Sequence, residues 1–346
     1  MSLPPSEIPL GAIRFNSDSQ KLEYWMGSAW MQIRTFSPNL GDTQSPAGAR
    51  GLFSGGSSSR VNTIDYVTIS SGGDAQDFGD MTQGVRGQAA FADRTRGCNA
   101  GGETPSSPNV TDVIDFVTIS STGNAQDFGD LTQARNYLAG VNNATRGLAG
   151  GAWDAPSGRS NIIDYVVIQS TGNAVDFGDL TEGQQTDGSF SSPTRGFWVG
   201  GAAGSGPNYQ SSTTGTKIEC VTTTTLGNAF DFGDLQQGGY GMSGASNSVR
   251  GLAAGGNFNP GGAINNIQFI TMASLGNASD FGDLLAAISY QAGTSDPTRA
   301  IFAGGSTSNT IEYVNISTEG NAVNFGDLTA ARNVFPAVSN ANGGLG

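Results

Sequence analysis

From residue 48 onward, short apolar runs alternate with glycine-rich and polar turns, and the same arrangement returns six times. The first copy shows the elements that this pattern predicts. RGLFSGG (50–56) reads as a short apolar strand ending in glycine. TIDYVTIS (63–70) is β-branched and aromatic, with Ile64 and Tyr66 on one face and Val67 and Ile69 on the other. Apolar residues on both faces predict a strand packed between stacked sheets. A phrase whose fullest form is GNAQDFGDL (123–131) supplies a turn and a third strand, because Gly and Asp bring permissive dihedrals and local backbone bonds. TQARNYLAGVNN (132–143) predicts a fourth strand before the next copy begins.

The copies keep a strict ruler. Aligned on Phe78, Phe128, Phe177, Phe232, Phe281 and Phe325, they are spaced by 50, 49, 55, 49 and 44 residues. An Arg (50, 96, 146, 195, 250, 299) is followed five residues later by Gly55, Gly101, Gly151, Gly200, Gly255 and Gly304. A third, mostly aromatic marker falls at Tyr66, Phe116, Tyr165, Cys220, Phe269 and Tyr313, 12 residues before the phenylalanine in every copy. From the phenylalanine to the next Arg the interval is always 18. All length variation lies between the Gly marker and the aromatic one, at 11, 15, 14, 20, 14 and 9 residues, so one loop per repeat is free to vary.

Composition agrees with many short strands joined by tight turns: 53 of 346 residues are glycine and only 13% are charged. The net charge of -13 argues against nucleic acid or an anionic membrane as partner, since both need clustered Lys and Arg. No apolar run approaches the ~18 residues of a membrane span. Cys98 and Cys220 are too few for a disulfide framework and stand where other copies carry apolar residues, which predicts buried free thiols. Asp127-Phe128-Gly129 spells the magnesium-holding triplet of a kinase, but here it recurs as DFGD at Asp77, Asp127, Asp176, Asp231 and Asp280 and as NFGD at Asn324. With no histidine and no lysine in a kinase context, the triplet is expected to be architectural.

The Gly-Gly pair closing a strand, the aromatic in the next strand and the Arg-bearing approach to the following copy, as in LTQARNYLAGVNNATRGLAGG, resemble the kelch repeat. The resemblance covers about residues 48 to 340 and implies a β-propeller. The first copy enters at Ala49-Arg50 with no preceding strand, whereas TAARNVFPAVSN (329–340) matches TQARNYLAGVNN. The expected fold is therefore all-β: a six-bladed kelch-like propeller at 41–346, closed by the C-terminal strand, with a small β-meander at 1–40.

That meander, GAIRFNSDSQKLEYWMGSAWMQI (11–33), belongs to no repeat and is too short to be stable alone. Gly11, Ile13, Arg14, Phe15, Asn16, Asp18, Leu22, Glu23, Tyr24, Trp25, Gly27 and Trp30 match a small module of bacteriophage structural and tail-fibre proteins, especially those of marine cyanophages. This resemblance implies a virion component, made in the host cytoplasm and homo-oligomeric on the particle. Arg14, Phe15, Tyr24, Trp25 and Trp30 would carry its attachment to other capsid or tail proteins.

The chemistry expected is binding rather than catalysis. The absence of histidine removes Ser-His-Asp hydrolysis and the copper radical oxidases that share kelch blades. Six FGD aspartates in six blades do not converge on a metal, and no cofactor is expected; Arg146 is expected to brace the turn of Asp130. The variable loops should emerge on the face of the blade-to-blade connections. They carry Trp153, Asp154, Asn208, Tyr209 and Phe258, a mixture suited to a host-surface glycan or protein. A free carbohydrate-binding or carbohydrate-cleaving propeller stays open as the alternative, with Asp154, Glu103 or Glu182 as the candidate carboxylates of a cleaving one.

Overall fold

Each repeat gives four short strands, because its apolar residues come in runs too short for helices and every run ends in glycine or a polar turn. In the second sheet the strands Ala89–Ala92, Arg96–Ala100, Val113–Thr118 and Gln126–Asp130 pair antiparallel in that order. The computed structural model describes residues 8–9, 11–16, 21–32, 48–57, 59–106, 109–154, 158–185, 188–203, 215–258 and 261–346. It divides into two compact units, Met1–Thr43 and Gln44–Gly346. The junction expected at 40/41 lies outside the described residues.

Among the described residues, the larger unit contains six four-stranded antiparallel sheets. Their innermost strands are Ala89–Ala92, Ala139–Asn142, Gly188–Ser191, Ser243–Ser246, Ala292–Ser295 and Ala337–Ser339. Each touches the next, and the last touches the first, so the sheets form a closed ring. The sixth of these strands comes from the C-terminal end and pairs with Arg50–Ser54, Val338 opposite Leu52, completing the sheet that the first repeat begins. One expectation is corrected. Residues 132–143 are not one strand of their own sheet: 139–142 are the innermost strand of the following sheet, and 132–138 cross to it. Inner strands use small residues because they converge; a Cβ on Gly140 would lie 2.1 Å from the carbonyl oxygen of Ala90.

The fixed intervals are packing distances. Twelve residues carry the chain around the outer hairpin so that Phe78 meets Tyr66 edge-on at 5.8 Å; the pairs at Phe128, Phe177, Phe281 and Phe325 do the same at 5.9 Å. Such pairs contribute roughly 0.5–1.5 kcal/mol beyond area burial. Where Cys220 replaces the aromatic, Phe232 turns to Phe197 instead, at 5.0 Å. The repeated Arg lies over the same marker, as Arg146 does over Tyr165 at 5.0 Å, and donates to a carbonyl of the next sheet, Thr223 O at 3.2 Å. Arg146 therefore ties sheets together and does not brace Asp130, whose amide is instead bound by the Asn173 side chain at 3.2 Å.

The FGD phrase is the outer clasp between neighbours. Gly172 N donates to Phe128 O (2.7 Å) and Ala174 N to Asp130 O (2.7 Å), with equivalents around the ring to Gly73 N on Phe325 O. Gly129 (φ 147°) lies against Gly172 so closely that a Cβ would come within 2.5 Å of its backbone. The triplet thus serves backbone approach, and the six FGD aspartates sit on the outermost strands of six different sheets.

A second latch was hidden among the apolar residues. Asp65, Asp115, Asp164, Glu219, Gln268 and Glu312 occupy one buried position per sheet, and each accepts a backbone amide from the preceding sheet, as Asp115 does from Thr82 (3.1 Å). Asp164 is matched by Arg135 at 3.2 Å, with both side chains fully buried, and Asp65 by Arg332. Burial pushes the carboxyls of Asp115, Glu219 and Glu312 above their ordinary range. A raised carboxyl contributes stability that is fully present below its unfolded value and lost as pH rises through its folded value. Glu312→Gln, copying the residue at Gln268, is accordingly expected to raise the melting temperature near about pH 7, with the gain vanishing toward about pH 4. An equal difference at both pH values, read by thermal unfolding, would refute the burial argument.

Candidate functional site

The crossings 81–88, 131–138 and their equivalents reach one end of the ring, where the variable loops also start. There the residue three or four positions before each innermost strand forms main-chain bonds with the beginning of a variable loop. Arg86 pairs with Glu103, Asn136 with Trp153, Gln185 with Ala202 and Tyr240 with Asn257. Ser306 N donates to Ser289 O, and Ser57 N to Asn333 O, completing a crown of six pairs. Loops and crossings share a face as expected, and the backbone register brings the first residues of the loops to the central opening.

Inside the crown, Tyr137, Tyr290 and Val334 have φ of 53°, 59° and 56°. Bulky residues rarely accept the left-handed region. A belt of amides holds them: Tyr290 N to Gly241 O (2.7 Å), Val334 N to Tyr290 O (3.0 Å) and Gly87 N to Val334 O (2.8 Å). Gly241 leaves room for the ring of Tyr290, since a Cβ there would stand 3.1 Å from it.

One side of the crown opens into a cleft of about 430 Å³ lined by Arg86, Glu103, Asn136, Trp153, Tyr240 and Tyr290, with Tyr137, Arg159, Gln185 and Ala202 completing it. Tyr240 and Tyr290 lie 5.8 Å apart at 58°, and Arg159 lies over the Trp153 indole at 5.3 Å. Arg86 Nε donates to Glu103 at 2.7 Å, and Arg60 reaches the other carboxylate oxygen. Burial alone would raise the Glu103 carboxyl, but its bonds to Arg86 and Arg60 prevail and hold it below the usual range. Beneath the mouth the inner strands enclose a narrow void of about 100 Å³. Its far end is covered by the turn Gly343–Leu345, where Arg94 donates to Leu345 O at 2.9 Å and the Asn142 and Asn342 amides pair at 3.2 Å.

Of the loop residues singled out in the sequence, Trp153 lines this cleft. Asp154 follows it on the same strand, but its side chain is outside the described residues, as are Asn208 and Tyr209. Phe258 pairs with Gly262 in a hairpin of its own and is not among the cleft residues. Arg86, Asn136, Tyr137, Arg159, Gln185, Tyr240 and Tyr290 were not foreseen. For Tyr137 and Tyr290 the trace in the sequence is that residues 87, 137, 241, 290 and 334 differ in kind inside an interval whose length never changes. Both cysteines are buried free thiols; burial pushes Cys98 upward and Cys220 to about 12, which leaves neither as a nucleophile near neutrality.

In the smaller unit, Ile13–Asn16, Lys21–Trp25 and Trp30–Gln32 form a three-stranded antiparallel meander. One face satisfies itself. Asn16 and Arg14 both bond Glu23, which lowers its carboxyl, while Arg14 lies over Trp30 at 4.2 Å and buried Trp25 packs on Trp30 at 5.4 Å. The other face carries Ile13, Tyr24 and Met31 in one row, with Phe15 beside Ile13.

No protein-family model matches this chain, and no curated protein does. Among solved structures it is similar to one described as "Structure of YjhT", with a TM-score of 0.58 and 10% identity over 73% of this chain and 87% of that one. At that identity the likeness concerns the fold alone, and together with the closed ring of sheets it makes this chain an all-β protein of the propeller type.

Proposed function

We propose that this chain is a bacteriophage virion structural protein, fixed to capsid or tail subunits by its N-terminal meander and displaying the propeller as a decoration or fibre head. The loop face then meets the host surface, without catalysis. The observation that carries this reading is the open face of the meander: Ile13 is 65% exposed, Phe15 62% and Met31 46%. Three strands with one apolar face uncovered gain their stability by docking that face on a partner. The residues that resemble the phage module, Arg14, Tyr24, Trp25 and Trp30, build the sheet that presents it. A free carbohydrate-binding or carbohydrate-cleaving propeller is the second reading, favoured by the aromatic cleft alone.

Cryo-electron microscopy of the purified particle tests the proposal. The expected map has residues 1–40 buried against capsid or tail subunits and the propeller outside. A particle that lacks the chain, or holds it by the propeller with the meander free, overturns the proposal.

A further inference from the structure

We propose that the cleft at the channel mouth is a binding site for a neutral pyranose, with the Asn136 amide as its central hydrogen-bonding group. This deepens the recognition role given to the loop face and rests on it. Asn136 is only 6% exposed and lines the cleft, yet its side-chain oxygen has no hydrogen-bond partner. A buried polar atom left bare is unfavourable, and native proteins keep few of them. The fold does not need this one, because Asn136 is held by main-chain bonds, donating to Trp153 O at 3.2 Å and accepting from Trp153 N at 2.7 Å. The oxygen lies beneath the cleft wall, so a hydroxyl donor in the cleft completes it once the amide turns toward the opening.

The surroundings specify the rest of the ligand. Tyr137, Tyr240, Tyr290 and Trp153 line one opening with apolar ring faces and polar edges. That combination suits a sugar ring, whose C–H faces stack and whose hydroxyls point outward. Two of the tyrosines reach the mouth only through a strained backbone, φ 53° and 59°, and strain of this kind persists where the surroundings over-determine it, often at ligand sites. Glu103 adds an acceptor on the same wall, and Arg86, whose Nε is engaged by Glu103, adds its terminal amino groups as donors.

Charge decides for a neutral sugar. Arg60 and Arg86 converge on Glu103 and Arg159 lies over Trp153, so an acidic sugar would compete with the Glu103 carboxylate for the same guanidinium groups. A cleft of about 430 Å³ is also of small-molecule size, within the roughly 300–1,000 Å³ of ligand pockets.

The test uses the full chain, thermal-shift assays and saturation-transfer NMR, with millimolar methyl glycosides of glucose, galactose, mannose and N-acetylglucosamine, and glucuronate as the acidic comparison. At least one neutral glycoside is expected to raise the melting temperature and show transfer. Asn136→Ala removes no protein hydrogen bond, so it should leave the unliganded melting temperature unchanged or higher while weakening binding roughly tenfold. Tyr240→Ala should weaken binding as well, and Phe258→Ala should not. The proposal is overturned if no neutral glycoside binds, if only glucuronate binds, or if Asn136→Ala and Tyr240→Ala both bind as tightly as the parent. Failure here leaves the virion reading to the particle map, and a chain that binds sugar but is missing from the particle overturns that reading alone.

Discussion

Gly129→Ala is expected to cost about 3 kcal/mol or more of folding stability, and Gly123→Ala only about 1–2 kcal/mol, in urea or thermal unfolding of the full chain. Both glycines belong to the GNAQDFGD phrase and both hold positive φ, 147° and 156°. They differ in what a side chain would meet. Nothing lies within 4 Å of a Cβ on Gly123, whereas a Cβ on Gly129 would lie 2.5 Å from the backbone of Gly172. Backbone cannot swing aside as a side-chain tip does, so relief requires parting the second and third sheets along their outer clasp. That would break the bonds from Gly172 N and Ala174 N. Equal losses for the two variants would mean that the clasp yields cheaply and does not hold the ring.

Arg332→Met is expected to cost about 3–5 kcal/mol, the loss typical of a buried carboxylate stripped of its cation. Arg332 is buried beside Asp65, which has no exposure, and also donates to Thr63 O at 3.0 Å. Thr329, three residues earlier, binds Asp65 through its amide at 3.1 Å. This is the latch that joins the C-terminal segment to the first repeat, just before Ala337–Ser339 completes the first sheet. Without Arg332, the Asp65 carboxylate is left buried with no cation, a charge whose cost protonation removes. The loss should therefore shrink on acidification, and Asp65→Asn in the Arg332→Met background should recover a large part of it. A loss that is independent of pH and unchanged by Asp65→Asn would show that Arg332 acts by packing over Phe335, 5.6 Å away, and not by charge.

These two variants separate what could be read along the chain from what could not. The clasp was half legible. The recurrence of DFGD with no histidine in the chain marks the triplet as architecture, but only the neighbouring sheet reveals that the glycine is there for Gly172. The latch was not legible, because Asp65 sits in TIDYVTIS as the one charged residue of a β-branched and aromatic strand and its partner Thr329 is 264 residues away. Pairing Arg146 with Asp130 failed for a related reason. An Arg and an Asp in fixed sequence register suggest an ion pair, yet the long arginine stem spans to Thr223 O in the next sheet, and the aspartate backbone is served by Asn173.

The candidate site divides in the same way. Trp153 could be named because variable loops advertise themselves by length. Tyr137, Tyr240 and Tyr290 could not, since they lie in an interval of constant length, and Tyr137 and Tyr290 reach the mouth through dihedrals that no propensity favours. By itself, the sequence determined the all-β class, the repeat, the closing strand and the face on which the loops emerge, because period and apolar spacing act locally and repeat. Tertiary structure alone decided which carboxylates are buried, which rings surround the channel mouth and which amide oxygen is left bare there. Those properties belong to contacts between sheets, where residues far apart in the chain become neighbours.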